Sequence, residues 1–451
     1  MEWSLRRLCK RSRSLLSEFE RRASGALCGE KIYRGTSGTA WRGLRVVLRS
    51  RRIRARVPWC TVHRTVQQMS TGTREGLPVL VIVVAEDWYL VSHRLSLARA
   101  ARAAGYHVVI ASRFSSHADA LRAEGFELFP LRLRRRAKSV RDELASIIEL
   151  RRLYQRLQPM IAHHVALKPV VFGTIASWGL RKVKVVNAIA GLGYVASSRR
   201  LGARVRRALM VPALRRLLSR PASVILVQNE LDRAKLLVGG VLDPARIVLL
   251  RGAGVDLTEF TPQPESDGPP VVLYAGRFLW DKGVGDFVEA ARRLRTEGRV
   301  ARFVLVGSPD HDSPGTILAH QVVEWQAEGV IEYWGRRTDM PSVFAQSGVV
   351  CLPSRYGEGV PKVLLEAAAC GRAVVTTDWP GCRDVVRPDE TGILVPPNDV
   401  DALTIALRGL LADPERRRRY GAAGRKLAER EFDVRGVVAE TLRCYSRLLQ
   451  Y

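Results

Sequence analysis

The chain has 451 residues, 47% of them hydrophobic and 26% charged, with 37 Gly and 22 Pro. That is material for two globular domains, and it excludes a collagen-like or wholly disordered chain. Its longest strictly apolar run, Leu77–Ala85, falls well short of the ~18–20 residues a membrane-spanning helix needs. Its seven Cys include no Cys-x-x-Cys pair, which argues against a disulfide framework or a zinc site. The net charge of +29 is uneven: residues 1–76 carry 18 Lys and Arg against 5 Asp and Glu, residues 77–265 carry 30 against 14, and residues 266–451 carry 25 of each. The two globular halves therefore differ in charge character, and different partners are expected for them.

Residues 1–76 are rich in Arg and Ser, hold no Asp and show no period of apolar positions. They read as a disordered basic extension, open to three readings: a transit-type leader, an arm for membrane or nucleic acid, or sequence upstream of a start at Met69. A chain beginning at Met69 is expected to be as stable and active as the longer one. From Leu77 the pattern changes. Val79-Leu80-Val81-Ile82-Val83-Val84 is the continuous β-branched run of a parallel strand buried on both faces. A helix is expected from Ser92 to Ala104, then a strand from Tyr106 to Ala111, and apolar runs recur near 127–131, 160–165, 183–187 and 223–227, with helices near 139–157 and 200–219. The Pro-rich run Thr261–Pro270 reads as a linker, after which strands are expected at 271–275, 302–306, 330–334, 349–352 and 373–376 and helices near 282–297, 361–370 and 399–412. The pattern predicts an α/β chain of two Rossmann-like, doubly wound domains, residues 77–265 and 266–430, facing an interdomain cleft. A C-terminal helix over 431–451 is expected to pack back on the first domain.

The second half carries the specific chemistry. Strand 271–275 runs into Gly276-Arg277, and Lys282-Gly283 opens the next helix. A glycine at a strand end lets the backbone approach a ligand, and the two cations suit a diphosphate. Further on stands Gly357-Glu358-Gly359-Val360-Pro361, followed by a helix containing Glu366. Pro361 suits the first helical position, and the amides of Gly359 and Val360 are expected to face an anion there. Glu366 lies among apolar helix neighbours, where a carboxylate needs a partner or a ligand hydroxyl. Asp310-His311-Asp312 looks superficially like a metal-binding Asp-x-Asp but, flanked by Ser and Pro, reads as solvated polar residues.

These motifs resemble the family 4 glycosyltransferases of the GT-B fold, retaining enzymes that use nucleotide sugars. Their Glu, seven residues, Glu hallmark is matched by Glu358 and Glu366, and their phosphate site by Gly276, Arg277, Lys282 and Gly283. The resemblance covers about residues 77–440 and includes Gly335-Arg336. It implies that Arg277 and Lys282 hold the donor diphosphate, that Glu366 takes the ribose hydroxyls, that Glu358 engages the donor sugar at the reacting face, and that Gly335 and Arg336 lie near the nucleobase. It implies no cofactor and no metal, since the two cations neutralise the diphosphate.

The first half is then the acceptor side. Members often carry a His before a Gly after the fifth strand, where this chain has Asn187-Ala188-Ile189-Ala190-Gly191-Leu192-Gly193. Gly191, Gly193, Lys168 and the Glu86-Asp87-Trp88 run resemble a subgroup that builds capsule, exopolysaccharide or O-antigen units. That likeness implies transfer of an N-acetylated hexosamine from a UDP-sugar to a polyprenyl-diphosphate-linked glycan. Glu86, Trp88, Lys168, Gly191 and Gly193 are the candidate acceptor-side residues. His93, expected at the start of the helix after the first strand, is the first candidate for a catalytic base, and His164, at the end of the fourth strand, is the second. Arg199–Arg220 holds eight Arg and no acid between apolar residues, and Arg132, Arg134, Arg135, Arg136 and Lys138 form a second cluster. These read as membrane-surface elements, with no nucleic-acid motif beside them, and imply a cytoplasmic enzyme peripheral to the inner membrane face. The competing readings are transfer to a soluble or protein acceptor, a catalytically silent nucleotide-sugar-binding protein, and a UDP-sugar epimerase on the same fold.

Overall fold

The computed structural model describes residues 76–133, 139–191 and 212–450. The basic extension, the cluster at 134–138, Gly193 and the part of the 199–220 Arg-rich stretch up to residue 211 lie outside the described residues. The first sheet is fully parallel and holds β1 (Val79–Glu86), β2 (His107–Arg113), β3 (Glu127–Pro130), β4 (Ile161–Val165), β5 (Lys184–Ile189), β6 (Ser223–Val227) and β7 (Ile247–Leu249), in the order β3-β2-β1-β4-β5-β6-β7. Its helices are α1 (Asp87–His93), α2 (Leu95–Ala103), α3 (Ala118–Ala123), α4 (Val140–Leu157), α5 (Leu167–Ala176) and α6 (Glu230–Leu237). Strand β1 shows why its apolar run is unbroken. Leu80, Ile82 and Val84 enter the core on one face, and Val81 and Val83 enter the core on the other.

The second sheet holds β8 (Val271–Phe278), β9 (Arg302–Pro309), β10 (Glu332–Tyr333), β11 (Val349–Leu352), β12 (Ala373–Thr377) and β13 (Gly392–Val395), in the order β10-β9-β8-β11-β12-β13. It is also parallel, and it is covered by α7 (Val284–Thr296), α8 (Ala319–Ala327), α9 (Met340–Ala345), α10 (Lys362–Ala369), α11 (Pro380–Val385), α12 (Val400–Ala412) and α13 (Pro414–Glu431). Strand order reverses between β1 and β4 in one sheet and between β8 and β11 in the other. Ligands of such sheets bind outside the strand C-termini at these points.

After α13 the chain returns to the first half. Val255 N–H donates to Phe432 O at 2.8 Å and Val434 N–H to Val255 O at 3.0 Å. The final helix, α14 (Val434–Gln450), then packs on α2, β5 and β6. Its Cys444, Tyr445 and Leu448 complete the core face lined by Leu80, Ile82 and Leu90, and Tyr445 Oη pairs with His163 Nδ1 at 2.5 Å.

Several expectations shift. The first helix begins at Asp87 rather than Ser92 and breaks at Arg94, where φ is −137°. The buried Asp87 carboxylate accepts the N–H groups of Trp88 at 2.8 Å and Ser115 at 2.6 Å, which ties the helix start to the strand end before any apolar period begins. Strands β7 and β13 were not expected, being short edge strands. Pro361 is the N-cap of α10 (ψ 124°) rather than its first helical residue. The described end of the 199–220 Arg-rich stretch is helical over 212–218 and packs inward. Leu214 and Leu218 are core residues, while Arg220 donates to the carbonyls of Ser177, Leu180 and Val183 at 2.8 Å each. That part of the stretch is a structural brace, which corrects the reading of it as a membrane element.

Two of the buried histidines are expected to make the first half acid-labile. Burial holds His163 well below the ordinary imidazole value of 6.5 and His164 at about 4. The unfolded chain therefore takes up protons near pH 6.5 that the folded chain refuses. Stability is full above that value and declines as pH falls toward 4. Urea unfolding at constant ionic strength is expected to lose up to ~1.4 kcal/mol per pH unit for each such histidine between about pH 6.5 and 5. His163→Gln is expected to flatten that slope, and a profile already flat in the parent chain would contradict the assignment.

Candidate functional site

The floor of the cleft is built from strand ends that approach too closely for side chains. In β8 and β9, Gly276 stands in register with Gly307. A Cβ on Gly307 would lie 1.8 Å from Gly276 O, and Gly307 N–H donates to Gly335 O at 2.9 Å. Above this floor opens a cleft of about 710 Å³ whose lining includes Gly276, Arg277, Arg336 and Glu366 from the second half and Trp88 and His93 from the first. Gly335 stands behind it, holding Gly307.

Two of the donor-side cations meet carboxylates. Arg277 is ion-paired with Asp310, and Lys282 with Glu358. Burial works against the Lys282 charge, but Glu358 and Tyr356 outweigh it and hold the ammonium above its ordinary value. The Lys282 ammonium also sits over the Tyr356 ring, 5.6 Å from its centroid. Glu358 keeps one buried oxygen, Oε1, without a hydrogen-bond partner, a free acceptor for a ligand hydroxyl. Glu366 is buried on α10, and burial raises its pKa against the opposing pull of Lys362, whose Nζ lies 2.7 Å away. That i, i+4 pair was legible in the sequence and was missed.

The loop before α10 is clamped by backbone contacts. A Cβ on Gly283 would lie 1.8 Å from Pro353 O, and one on Gly381 would lie 1.3 Å from Gly359 O. From the first half, Gly191 abuts the loop, since its Cβ would come 2.7 Å from Gly359 N. Val360 N–H donates to Gln228 Oε1 of the first half at 3.0 Å. The Val360 amide is thus engaged across the halves rather than aimed at an anion, which corrects its expected role, while a Cβ on Gly359 would lie 2.0 Å from Gln228 Oε1 and 2.5 Å from Ala190 O. Gln228 gave no signal in the sequence, because its partner is far along the chain.

In the first half, His93 stacks on Tyr89 with ring centroids 4.1 Å apart. Burial, with Arg94 and Lys362 adding to it, lowers its pKa to about 3. It is a neutral imidazole at working pH, able to accept a hydrogen bond from a hydroxyl but too weak to retain a proton. His164 is not in the cleft. It is fully buried between Tyr154 Oη at 2.9 Å and Asn187 Oδ1 at 2.8 Å, a core histidine rather than a base. Glu86 is 3% exposed and held by Arg113 through two bonds of 2.9 Å, so it braces the strand end rather than meeting an acceptor. Lys168 pairs with Glu143 at 2.8 Å and lies outside the cleft lining. Asp310-His311-Asp312 is not simply solvated, because Asp310 is buried on Arg277 and Asp312 meets Arg113 at 3.1 Å. Among the described residues no group of three His, Cys, Asp or Glu is arranged to hold a metal ion.

Two parallel, doubly wound sheets facing a cleft with paired cations and carboxylates define a GT-B architecture. A family model described as "Glycosyl transferase 4-like" matches residues 79–229, and one described as "Glycosyl transferases group 1" matches residues 256–427. The chain belongs to the family 4 glycosyltransferases of the GT-B fold. It is 29% identical over 218 residues to the N,N'-diacetylbacillosaminyl-diphospho-undecaprenol alpha-1,3-N-acetylgalactosaminyltransferase of Campylobacter jejuni, covering 46% of this chain and 55% of the relative. It is 31% identical over 248 residues to the alpha-maltose-1-phosphate synthase of Mycolicibacterium smegmatis, covering 50% of this chain and 63% of that one. The chain thus matches only about half to two thirds of the length of these relatives. Among solved structures, Anabaena HepE in complex with UDP-glucose superposes with a TM-score of 0.66 at 17% identity, over 81% of this chain and 99% of that one. That likeness speaks to the fold.

The Lys282–Glu358 pair separates stability from chemistry. Lys282→Met leaves a buried carboxylate unpaired and is expected to cost about 3–5 kcal/mol of stability. Lys282→Met with Glu358→Leu is expected to recover most of that in thermal melts. Activity is expected to be absent from both variants, and a double variant that turns over donor normally would refute the role of the pair.

Proposed function

We propose that the protein is a retaining glycosyltransferase that moves a sugar from a UDP-sugar to a lipid-linked glycan. The observation that carries the transfer reading is the convergence of Arg277, Glu366 and His93 on one cleft, with the Lys282–Glu358 pair beside it. Arg277 and Lys282 exchange their internal carboxylates for the donor diphosphate and stabilise the charge that develops as the sugar–phosphate bond breaks. Glu366, kept in place by Lys362, accepts the ribose hydroxyls. Glu358 offers its unpartnered oxygen to the donor sugar. His93 orients the acceptor hydroxyl, and the departing phosphate oxygen, which gains charge as the bond breaks, takes the proton. This assignment needs no metal ion.

A UDP-sugar donor is supported by the likeness to HepE, solved with UDP-glucose. A lipid-linked acceptor is supported by the Campylobacter relative, whose name describes a diphospho-undecaprenol substrate. A soluble sugar phosphate is the second reading, favoured by the likeness to the maltose-1-phosphate synthase. The surface of the first half supports the lipid reading. On α4, Val140, Leu144 and Ile148 stand four residues apart and exposed, Val140 at 75%, with Trp178 exposed at the end of the neighbouring helix. Arg151 joins the two helices through the Trp178 carbonyl at 2.8 Å. Arg134, Arg135, Arg136 and Lys138 precede α4 in sequence. An apolar stripe with a Trp and flanking cations suits an anionic bilayer surface. No helix among the described residues is long and apolar enough to cross a membrane.

Arg277→Ala is expected to reduce turnover by a factor of about 10²–10³ while the fold is retained, the loss typical of one transition-state contact. Glu366→Gln is expected to weaken UDP binding in calorimetry. Near-normal turnover in Arg277→Ala would overturn the donor-site assignment. For the surface, the parent chain is expected to float with anionic liposomes at low salt and much less at ~0.5 M, where the Debye length falls to a few ångströms. Leu144→Glu with Ile148→Glu is expected to stay in solution while still binding UDP. Flotation equal to the parent chain would remove α4 from the membrane face.

A further inference from the structure

The turn after β9 is joined to both halves of the protein through two carboxylates. On one side, Asp310 Oδ2 takes the Arg277 guanidinium, which lines the donor side of the cleft. Its other oxygen, Oδ1, accepts Asp312 N–H at 3.3 Å, and the Asp310 carbonyl accepts Ser313 N–H at 2.8 Å, so one side chain both occupies Arg277 and closes the turn. On the other side, Asp312 Oδ2 meets Arg113 Nη2 at 3.1 Å. Arg113 ends β2 and belongs to the first half, where the buried Glu86 fixes its guanidinium through two bonds of 2.9 Å. The result is a continuous chain from Glu86 through Arg113, Asp312 and Asp310 to Arg277, crossing the cleft.

We propose that Asp310 is an internal stand-in for the donor phosphate and that Asp312 is a strut to the first half, so that donor binding at Arg277 displaces the first and loosens the second. The proposal rests on the reading of Arg277 as a diphosphate ligand. A phosphate that takes the Arg277 guanidinium competes with Oδ2 of Asp310. As the carboxylate turns away, it withdraws Oδ1 from Asp312 N–H, and the turn no longer presents Asp312 to Arg113. Donor occupancy is thereby transmitted to the half that takes the acceptor. Asp310 and Asp312 are positioning residues here, since neither touches the reacting atoms. The sign of their effect is distinctive. A residue that only supported Arg277 would weaken donor binding when removed, whereas a competitor strengthens it.

The test is calorimetry with UDP alone as the probe, on the full chain, for the parent, Asp310→Asn, Asp312→Asn and Arg277→Ala. Asp310→Asn is expected to tighten UDP binding by about threefold to tenfold and Asp312→Asn by about twofold, the range of partly exposed ion pairs. Neither is expected to raise the melting temperature without UDP. Asp312 is exposed and its loss leaves the Glu86–Arg113 pair intact, so that variant is expected to fold even if Asp310→Asn does not. Arg277→Ala separates the two levels of the argument. If it abolishes UDP binding while Asp310→Asn binds UDP no tighter than the parent, the stand-in is wrong and the donor site stands. If Asp310→Asn gains affinity and Asp312→Asn does not, the link across the cleft is wrong. If Arg277→Ala binds UDP normally, the donor assignment falls, and the proposal falls with it.

Discussion

The chemistry of the second half depends on a loop that has no room to move. Between β11 and α10 the backbone touches Gly283 through Pro353 O and Gly381 through Gly359 O, at separations where a methyl group would overlap main-chain atoms. Side chains could be repacked around such contacts, but carbonyls and α-carbons have no alternative rotamer. The loop is therefore held by close backbone-to-backbone packing rather than by the strength of any single bond. That rigidity permits Glu358 and Lys282 to be buried beside each other, because an ion pair away from water is tolerable only when its geometry is held.

Charge is handled differently in the two halves. The second half has equal numbers of acids and bases, and Arg277, Lys282 and Lys362 at its cleft each carry a carboxylate partner. An anion that approaches Arg277 or Lys282 therefore competes with a carboxylate already in place rather than meeting a bare charge. In the first half a share of the excess arginine is consumed internally. Arg220 and Arg246 donate to main-chain carbonyls around the 177–183 and 218–223 segments, and so tie the ends of neighbouring elements together. Net charge therefore overstates the cationic surface presented to any partner.

Much of this is legible in the sequence. Continuous β-branched runs identified the central strands of both sheets, and the Gly-Arg, Lys-Gly and two-Glu motifs pointed to the residues around the cleft. What escaped was the direction of side chains and partners distant in sequence. His93 and His164 both follow or end a strand near a switch point. However, β4 is covered on both faces, so His163 and His164 are buried alike, whereas His93 lies on a helix that borders the cleft. No local pattern separates these cases. Asp310 looked like loop polarity because Arg277 stands 33 positions earlier, and the Val360 amide looked free because Gln228 stands 132 positions earlier. The short strands β7 and β13 escaped for a simpler reason, since edge strands need no long apolar run.

The return of the final helix to the first sheet has a consequence for how the protein is made. A ribosome delivers β1 to β7 first, yet the core face lined by Leu80, Ile82 and Leu90 is closed by Tyr445 and Leu448. Until the entire second half has been synthesised, that apolar face has no native cover, and the crossing at Val255 and Val434 cannot form. The nascent first half is thus an incomplete body that holding chaperones would recognise. Its quality control is tied to the completion of the second half, so a chain interrupted within the second sheet is marked by exposed hydrophobic surface in the first.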